Sequence, residues 1–126
     1  MLRKFARTMA CISFVFAAAP SFAGFSINEN NGTLHANDTF GGGNLVVSVG
    51  NFSSNVIYRN VSFQVFQCTD ISGTNCFDIK IGFMGDINPG KTVRSPGTAP
   101  PGSCYFTQIF VGNDDRIDFP GYCVGR

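Results

Sequence analysis

Apolar and polar residues alternate with a period of two from residue 24 onward, and no stretch there keeps the 3.6-residue period of an amphipathic helix. The clearest alternating run is 77–83, where phenylalanine and isoleucine alternate with aspartate, lysine and glycine. Turn signals such as 30–32 (Asn-Asn-Gly) and 88–90 (Asn-Pro-Gly) separate these runs at a spacing of roughly ten residues. The pattern predicts an all-β antiparallel β-sandwich of about seven or eight strands, with an up-and-down barrel as the alternative.

The N-terminal residues 1–23 have the composition of a secretory signal peptide. Three basic residues precede the apolar run 9–19, and residues 21–23 (Ser-Phe-Ala) supply the small side chains of a cleavage site. We therefore predict cleavage after Ala23, a single mature domain formed by residues 24–126, and a secreted or periplasmic location. The apolar run has 11 residues, whereas a membrane span needs about 20, so a retained anchor is the weaker alternative.

Removal of this leader would change the net charge from +1 to about −2, because three of the nine lysine and arginine residues lie in it. A weakly acidic domain lacks the basic footprint that nucleic-acid binding requires. We therefore expect no nucleic-acid partner, and no membrane span once the leader is removed.

Four cysteines remain after residue 24, which are Cys68, Cys76, Cys104 and Cys123. An even number in a small exported chain predicts two disulfides, and three connectivities are possible. Hairpin geometry favours two of the pairings. A three-residue loop at 71–73 would place Cys68 opposite Cys76, and a two-residue loop at 113–114 would place Cys104 opposite Cys123. The gaps between the cysteines do not match zinc-site spacing, so no metal is expected.

Three segments carry short β-strand and turn motifs, namely 45–51 (LVVSVGN), 60–66 (NVSFQVF) and 87–91 (INPGK). Together they resemble the V-x-N turn, the N-V-x-V/F strand and the I-x-P-G turn of bacterial exported immunoglobulin-like domains of the FxLYD and CARDB type. The resemblance implies an immunoglobulin-like sandwich that serves in adhesion or assembly and brings no catalytic residues. The four cysteines and the C-terminal hairpin are not part of that pattern.

The sequence offers little for catalysis. His35 is the only histidine, no G-x-S-x-G motif accompanies it, and we expect it to be an ordinary edge-strand residue. Asp114, Asp115 and Asp118, with Asn113, form the densest acidic cluster, for which calcium and a glycosidase pair are the chemical alternatives. Arg116 lies inside this cluster and would oppose a cation, so we predict neither a metal, nor another cofactor, nor an enzyme.

Two ligand surfaces remain as candidates. The hairpin register above places Tyr105 and Tyr122 on one face, where they could stack on a sugar, and it places residues 113–115 at the hairpin tip. The leading prediction is a non-catalytic binding or structural module that contacts another protein, or itself, at the cell envelope or outside the cell. The alternatives are a secreted inhibitor or effector of a host or competitor protein and a small lectin-like carbohydrate-binding protein.

Overall fold

The computed structural model of the protein describes residues 23–125. Nearly all of the predicted signal peptide lies outside this range, so its cleavage stays a prediction. Within the range there are nine strands and no helix, which confirms the all-β class. The strands are β1 (Ala23–Glu29), β2 (Leu34–Gly41), β3 (Asn44–Asn51), β4 (Tyr58–Cys68), β5 (Phe77–Ile87), β6 (Thr92–Thr98), β7 (Cys104–Val111), β8 (Asp115–Asp118) and β9 (Tyr122–Cys123).

The strands form two antiparallel sheets that enclose one core. Sheet A has the order β1-β2-β3-β6, and sheet B has the order β5-β4-β7-β8, with β9 pairing to β7 beyond the end of β8. In immunoglobulin lettering, β2, β3 and β6 correspond to A, B and E, and β5, β4, β7 and β8 correspond to C′, C, F and G. The predicted immunoglobulin-like sandwich is therefore confirmed, β1 is an additional strand outside β2, and the barrel alternative is wrong.

The corner between β6 and β7 carries a second feature of this fold. Tyr105 is fully buried at the start of β7, and its hydroxyl donates a hydrogen bond to the carbonyl oxygen of Pro100, five residues upstream. Immunoglobulin-like domains place a tyrosine at the equivalent corner with the same bond back to the chain. The ring also stacks on Phe40 of sheet A, with centroids 5.5 Å apart, so this residue ties the two sheets together.

Both predicted disulfides are present, Cys68–Cys76 and Cys104–Cys123. The predicted register of the last hairpin is correct at its base, where Tyr105 faces Tyr122, and wrong by one residue at its tip. The loop there has three residues, 112–114, and begins at Gly112 with φ of 68°. One additional residue between β8 and β9, next to Pro120, restores the predicted register at the disulfide. As a result Ile109, and not Phe110, lies opposite Ile117.

Candidate functional site

The predicted sugar-binding surface at Tyr105 and Tyr122 is not exposed as expected. Tyr105 is buried, because the face it shares with Ile109 and Val111 packs against sheet A. Tyr122 is half-buried, and its ring stacks on Phe40 with centroids 5.4 Å apart. Both tyrosines therefore belong to an aromatic cluster between the sheets, and the prediction of a ligand surface is wrong for Tyr105.

The polar hairpin tip is exposed but is not assembled into a site. Asn113 and Asp114 lie at the tip, whereas Asp115 is the first residue of β8 and pairs with Val111. Beyond them Arg116 Nη2 donates a hydrogen bond to Asp118 Oδ2, 3.0 Å away, and the Nε of Arg116 lies 2.9 Å from Asp118 Oδ1 in the same ion pair. Across residues 23–125 no group of three or more histidine, cysteine or acidic side chains is arranged to hold a metal ion.

His35 lies on β2, which runs between β1 and β3, so the expectation of an edge strand is wrong. Its imidazole stacks on the Phe52 ring with centroids 4.2 Å apart. The histidine therefore packs against an aromatic side chain on the surface of sheet A.

One acidic side chain stands inside the core. Asp38 of β2 is 1% exposed, and its Oδ1 accepts a hydrogen bond from the backbone N–H of Phe25, 2.9 Å away. Burial raises the pKa of this carboxyl to about 7, and the Phe25 and Thr107 donors lower it only in part. Neither its Oδ2 nor the Thr107 hydroxyl, which approaches from sheet B, completes a well-formed hydrogen bond. A perturbed carboxyl can mark a functional site, but this one lies in the core and fastens β1 to β2.

A shallow groove of about 360 Å³ opens between β5 and β6. Lys80 points inward from β5 and crosses it, so that its Cδ lies 2.9 Å from where a Cβ on Gly97 would be. The groove offers one charged group beside the polar Gln67 and Thr98. That is too little to define a small-molecule site, which usually needs several converging polar groups in a deep pocket.

The outer face of sheet B is the most unusual surface of the molecule. Directly opposite residues in a sheet point to the same side, so the alternate, outward positions of three strands form one surface. We define this outer face by Ile81 and Phe83 of β5, Ser62, Gln64 and Phe66 of β4, and Phe106, Gln108 and Phe110 of β7. Phe83 is 73% exposed and Ile81 is 68% exposed. They lie beside the polar side chains at the centre of the face, which are Ser62, Gln64 and Gln108.

The apolar surface continues beyond the strands at the disulfide end. The Cys68–Cys76 bond closes a short loop whose Ile71 is 56% exposed. A Cβ on Gly121 would lie 2.5 Å from the Phe106 ring and 2.9 Å from Ile71 Cδ1, so both side chains pack over this glycine. Charges lie at the border, where Asp78 and the Arg116–Asp118 pair flank the face. No sequence motif predicts this site, because its side chains come from three separated segments.

No protein family, curated protein or solved structure matches the chain at a significant level. The class is therefore defined by the structure itself: a small, disulfide-bonded, immunoglobulin-like β-sandwich. Its two disulfides indicate a compartment outside the reducing cytoplasm. Residues 23–125 contain no helix with the length and apolar character to cross a membrane.

Proposed function

We propose that this chain is an exported, non-catalytic module that binds another protein through the outer face of sheet B. The observation that carries the proposal is the exposure of Phe83 and Ile81 side by side on β5. Burying apolar surface is worth about 25 cal/mol per Å². Exposed apolar side chains that lie together beside polar ones are therefore typical of a surface that a partner covers.

The composition of the face supports a protein as the partner. Protein interfaces are enriched in aromatic residues and depleted in lysine. The face holds four phenylalanines, and its charged residues, Asp78 and the Arg116–Asp118 pair, lie at its border. Ser62, Gln64 and Gln108 at the centre can exchange hydrogen bonds with a partner. Strands hold these side chains on a rigid scaffold, so binding would cost little ordering entropy.

Sugar binding is less well supported by the geometry. Tyr105 is buried, Tyr122 is packed between the sheets, and the exposed rings of the outer face carry no hydroxyl groups. An inhibitor or effector remains a form of the proposed function, since it would use the same face toward a host or competitor protein. A location in the periplasm or outside the cell is supported by the predicted signal peptide together with the two disulfides.

The resemblance to FxLYD and CARDB domains is also kept as a proposal. The segments that carry it fall in β3, in β4 and at the turn between β5 and β6. Adhesion or assembly, the role implied by that resemblance, requires a surface of the kind described above.

The proposal is tested by placing a photo-crosslinking amino acid at Phe83 in the exported protein within its own cells. A matched variant carries the same group at Val56, which is 47% exposed in the loop between β3 and β4. We expect a discrete protein adduct from position 83 and none from position 56. The position-83 adduct should disappear when Ile81→Asp is added. Equal labelling from both positions, or an adduct that survives Ile81→Asp, would contradict the proposal.

Export is tested separately by the intact mass of the protein recovered from the cell envelope or medium. We expect a chain that begins at Gly24 and weighs four hydrogens less before reduction than after it, because two disulfides are present. A full-length chain with free thiols would refute the export part of the proposal.

A further inference from the structure

The sandwich has four sheet edges, which are β1 and β6 in sheet A and β5 and the β8–β9 pair in sheet B. An edge strand presents unpaired backbone N–H and C=O groups that can pair with a strand from another chain. Proteins guard such edges with proline, charged side chains, bulges or short strands.

Three of these edges are guarded. β6 contains Arg94 and Pro96, and proline removes one ladder donor. β5 has irregular register at both ends and turns the charged Lys80 inward. β8 and β9 have four and two residues, and Pro120 lies in the gap between them.

β1 has none of these guards. Its register with β2 is unbroken from Ala23 opposite Phe40 to Glu29 opposite Leu34. The sequence AGFSIN contains no proline and no charged side chain before the terminal glutamate. Phe25 and Ile27 are only half-buried at the rim of the core, whereas Ser26 is exposed. The strand therefore offers a regular edge beside incompletely covered apolar side chains, and its charges are confined to its ends, the α-amino group that cleavage leaves on Gly24 and Glu29.

The backbone phase of β1 fixes how a second strand could pair with it. The N–H of Phe25 points toward β2, where it binds the Asp38 carboxylate. Because alternate residues of a strand point their backbone groups to opposite sides, the N–H and C=O groups of Gly24, Ser26 and Asn28 point to the free edge. An antiparallel partner strand must match these outward residues with its own outward residues.

We propose that a second copy of this chain pairs its β1 antiparallel with this β1, around a two-fold axis at Ser26. This is the one self-pairing that uses all three outward residues, with Gly24 opposite Asn28 of the second copy and Ser26 opposite Ser26. Three such pairs form about six main-chain hydrogen bonds. The same register sets Phe25 opposite Ile27 of the second copy, twice, so each pair covers apolar surface that is half-exposed in one copy.

The chemistry of β1 favours a second copy over an unrelated strand. No like charges meet in this register, and the apolar pairs are complementary in size across the axis. A contact limited to one strand pair is smaller than the roughly 1,200–2,000 Å² that stable interfaces bury, so the dimer is weak and depends on concentration. This surface is independent of the outer face of sheet B, so the two proposals can fail separately.

The test is sedimentation equilibrium of the exported protein, with its disulfides intact, from about 1 μM to about 1 mM, a range that brackets weak dissociation constants. We expect a reversible monomer–dimer equilibrium. Ser26→Lys brings two lysines together at the axis and should weaken the dimer at least tenfold, since like charges in an interface are strongly unfavourable. Thr98→Lys, on the guarded edge strand of the same sheet, should leave the dimer unchanged.

Ser26→Pro provides a second variant, because it removes one outward N–H without adding charge. It should also weaken the dimer, and a thermal unfolding midpoint close to that of the wild type would show that β1 stays in place. A wild-type monomer at every concentration would overturn the proposal. So would a dimer that both Ser26 variants leave intact, and loss of that dimer in Phe83→Asp would assign self-association to the outer face of sheet B instead.

Discussion

The two outer faces of the sandwich differ in a way that the fold alone does not require. The outward side chains of sheet A are mostly polar. Among them, the Ser48 hydroxyl donates a hydrogen bond to Asn37 Oδ1, 2.6 Å away. Sheet B turns out Ile81 and Phe83 together with the three other phenylalanines of its outer face. Antiparallel sheets usually show an apolar inner face and a polar outer face. Sheet A follows that rule and sheet B departs from it, and this departure is the reason for proposing sheet B as the binding side.

The two sheets also differ in how they are held. Both disulfides lie in sheet B or on its flanking loop, and the described part of sheet A has none. Sheet A instead contributes the buried carboxyl of Asp38, whose bond to Phe25 fastens the edge strand β1. The face proposed for binding is therefore covalently constrained, whereas the β1 edge depends on hydrogen bonds.

The largest expected effect is on the pH dependence of stability, and it comes from the buried carboxyl of Asp38 in sheet A. Asp38 has a pKa of about 7 in the folded protein and an ordinary value of 3.8 in the unfolded chain, so the folded state binds more protons between these values. Stability therefore falls as pH rises from about 4 to 7, by about 4 kcal/mol in order of magnitude. Asp38→Asn should abolish most of this slope and raise the free energy of unfolding at pH 8, as measured by urea denaturation across pH. Its matched control, Asp114→Asn at the exposed hairpin tip, should keep the wild-type slope. A wild-type protein that is equally stable at pH 5 and pH 8 would contradict the assignment.

The next effect concerns the covalent constraint of sheet B. Replacing both Cys104 and Cys123 with serine should lower the free energy of unfolding by about 3 kcal/mol, because the unfolded chain regains the entropy of an open loop. Replacing Cys68 and Cys76 should cost slightly less, since the closed loop is shorter, with a sequence separation of 8 against 19. Denaturant titration of the two double variants measures both losses, and the reverse order would show that strain or local packing dominates.

A smaller effect is expected where the two sheets are joined. Tyr105→Phe keeps the buried ring but removes the hydrogen bond to Pro100, and should cost about 1 kcal/mol plus the penalty of an unpaired carbonyl. Tyr58→Phe is a useful comparison because its hydroxyl contacts Asn30 and Thr33 near the surface and should cost less. Thermal unfolding of both variants measures these losses of stability. A loss for Tyr105→Phe that is equal to or smaller than that for Tyr58→Phe would argue against a stabilising role of the Tyr105–Pro100 hydrogen bond.

The smallest effect on stability should come from the outer face of sheet B. Phe83→Ser should change the free energy of unfolding by no more than about 0.5 kcal/mol, because the ring is 73% exposed. It should also raise solubility, since an exposed apolar patch favours association. Thr39→Ser on the outer face of sheet A should leave both properties unchanged. A loss above about 2 kcal/mol for Phe83→Ser would show that the ring stabilises the fold and would weaken its assignment to a partner.

The sequence by itself determined the all-β class and the two disulfides. Period-two alternation and regularly spaced turns are compatible with few other fold classes. A cysteine at the base of one hairpin strand lies opposite the cysteine at the base of the other strand, so the hairpin predicts the disulfide. The sequence did not predict most of the candidate site. In the last hairpin, residues 106 and 110 are apolar on one face, and residues 109 and 111 are apolar on the other. Alternation shows that the faces differ but does not show which one meets the second sheet.

Only the tertiary structure decided that question. It turned Tyr105 inward because its hydroxyl reaches the Pro100 carbonyl at the corner, and it left Phe106 outward, over Gly121. It shifted the hairpin tip by one residue, which brought Ile117 opposite Ile109 in the core. It also placed Phe83 and Phe110 on one surface, although 26 intervening residues separate them in the sequence. Local sequence specifies strands and turns, whereas the packing of two sheets against each other selects which apolar face is buried and which is left exposed.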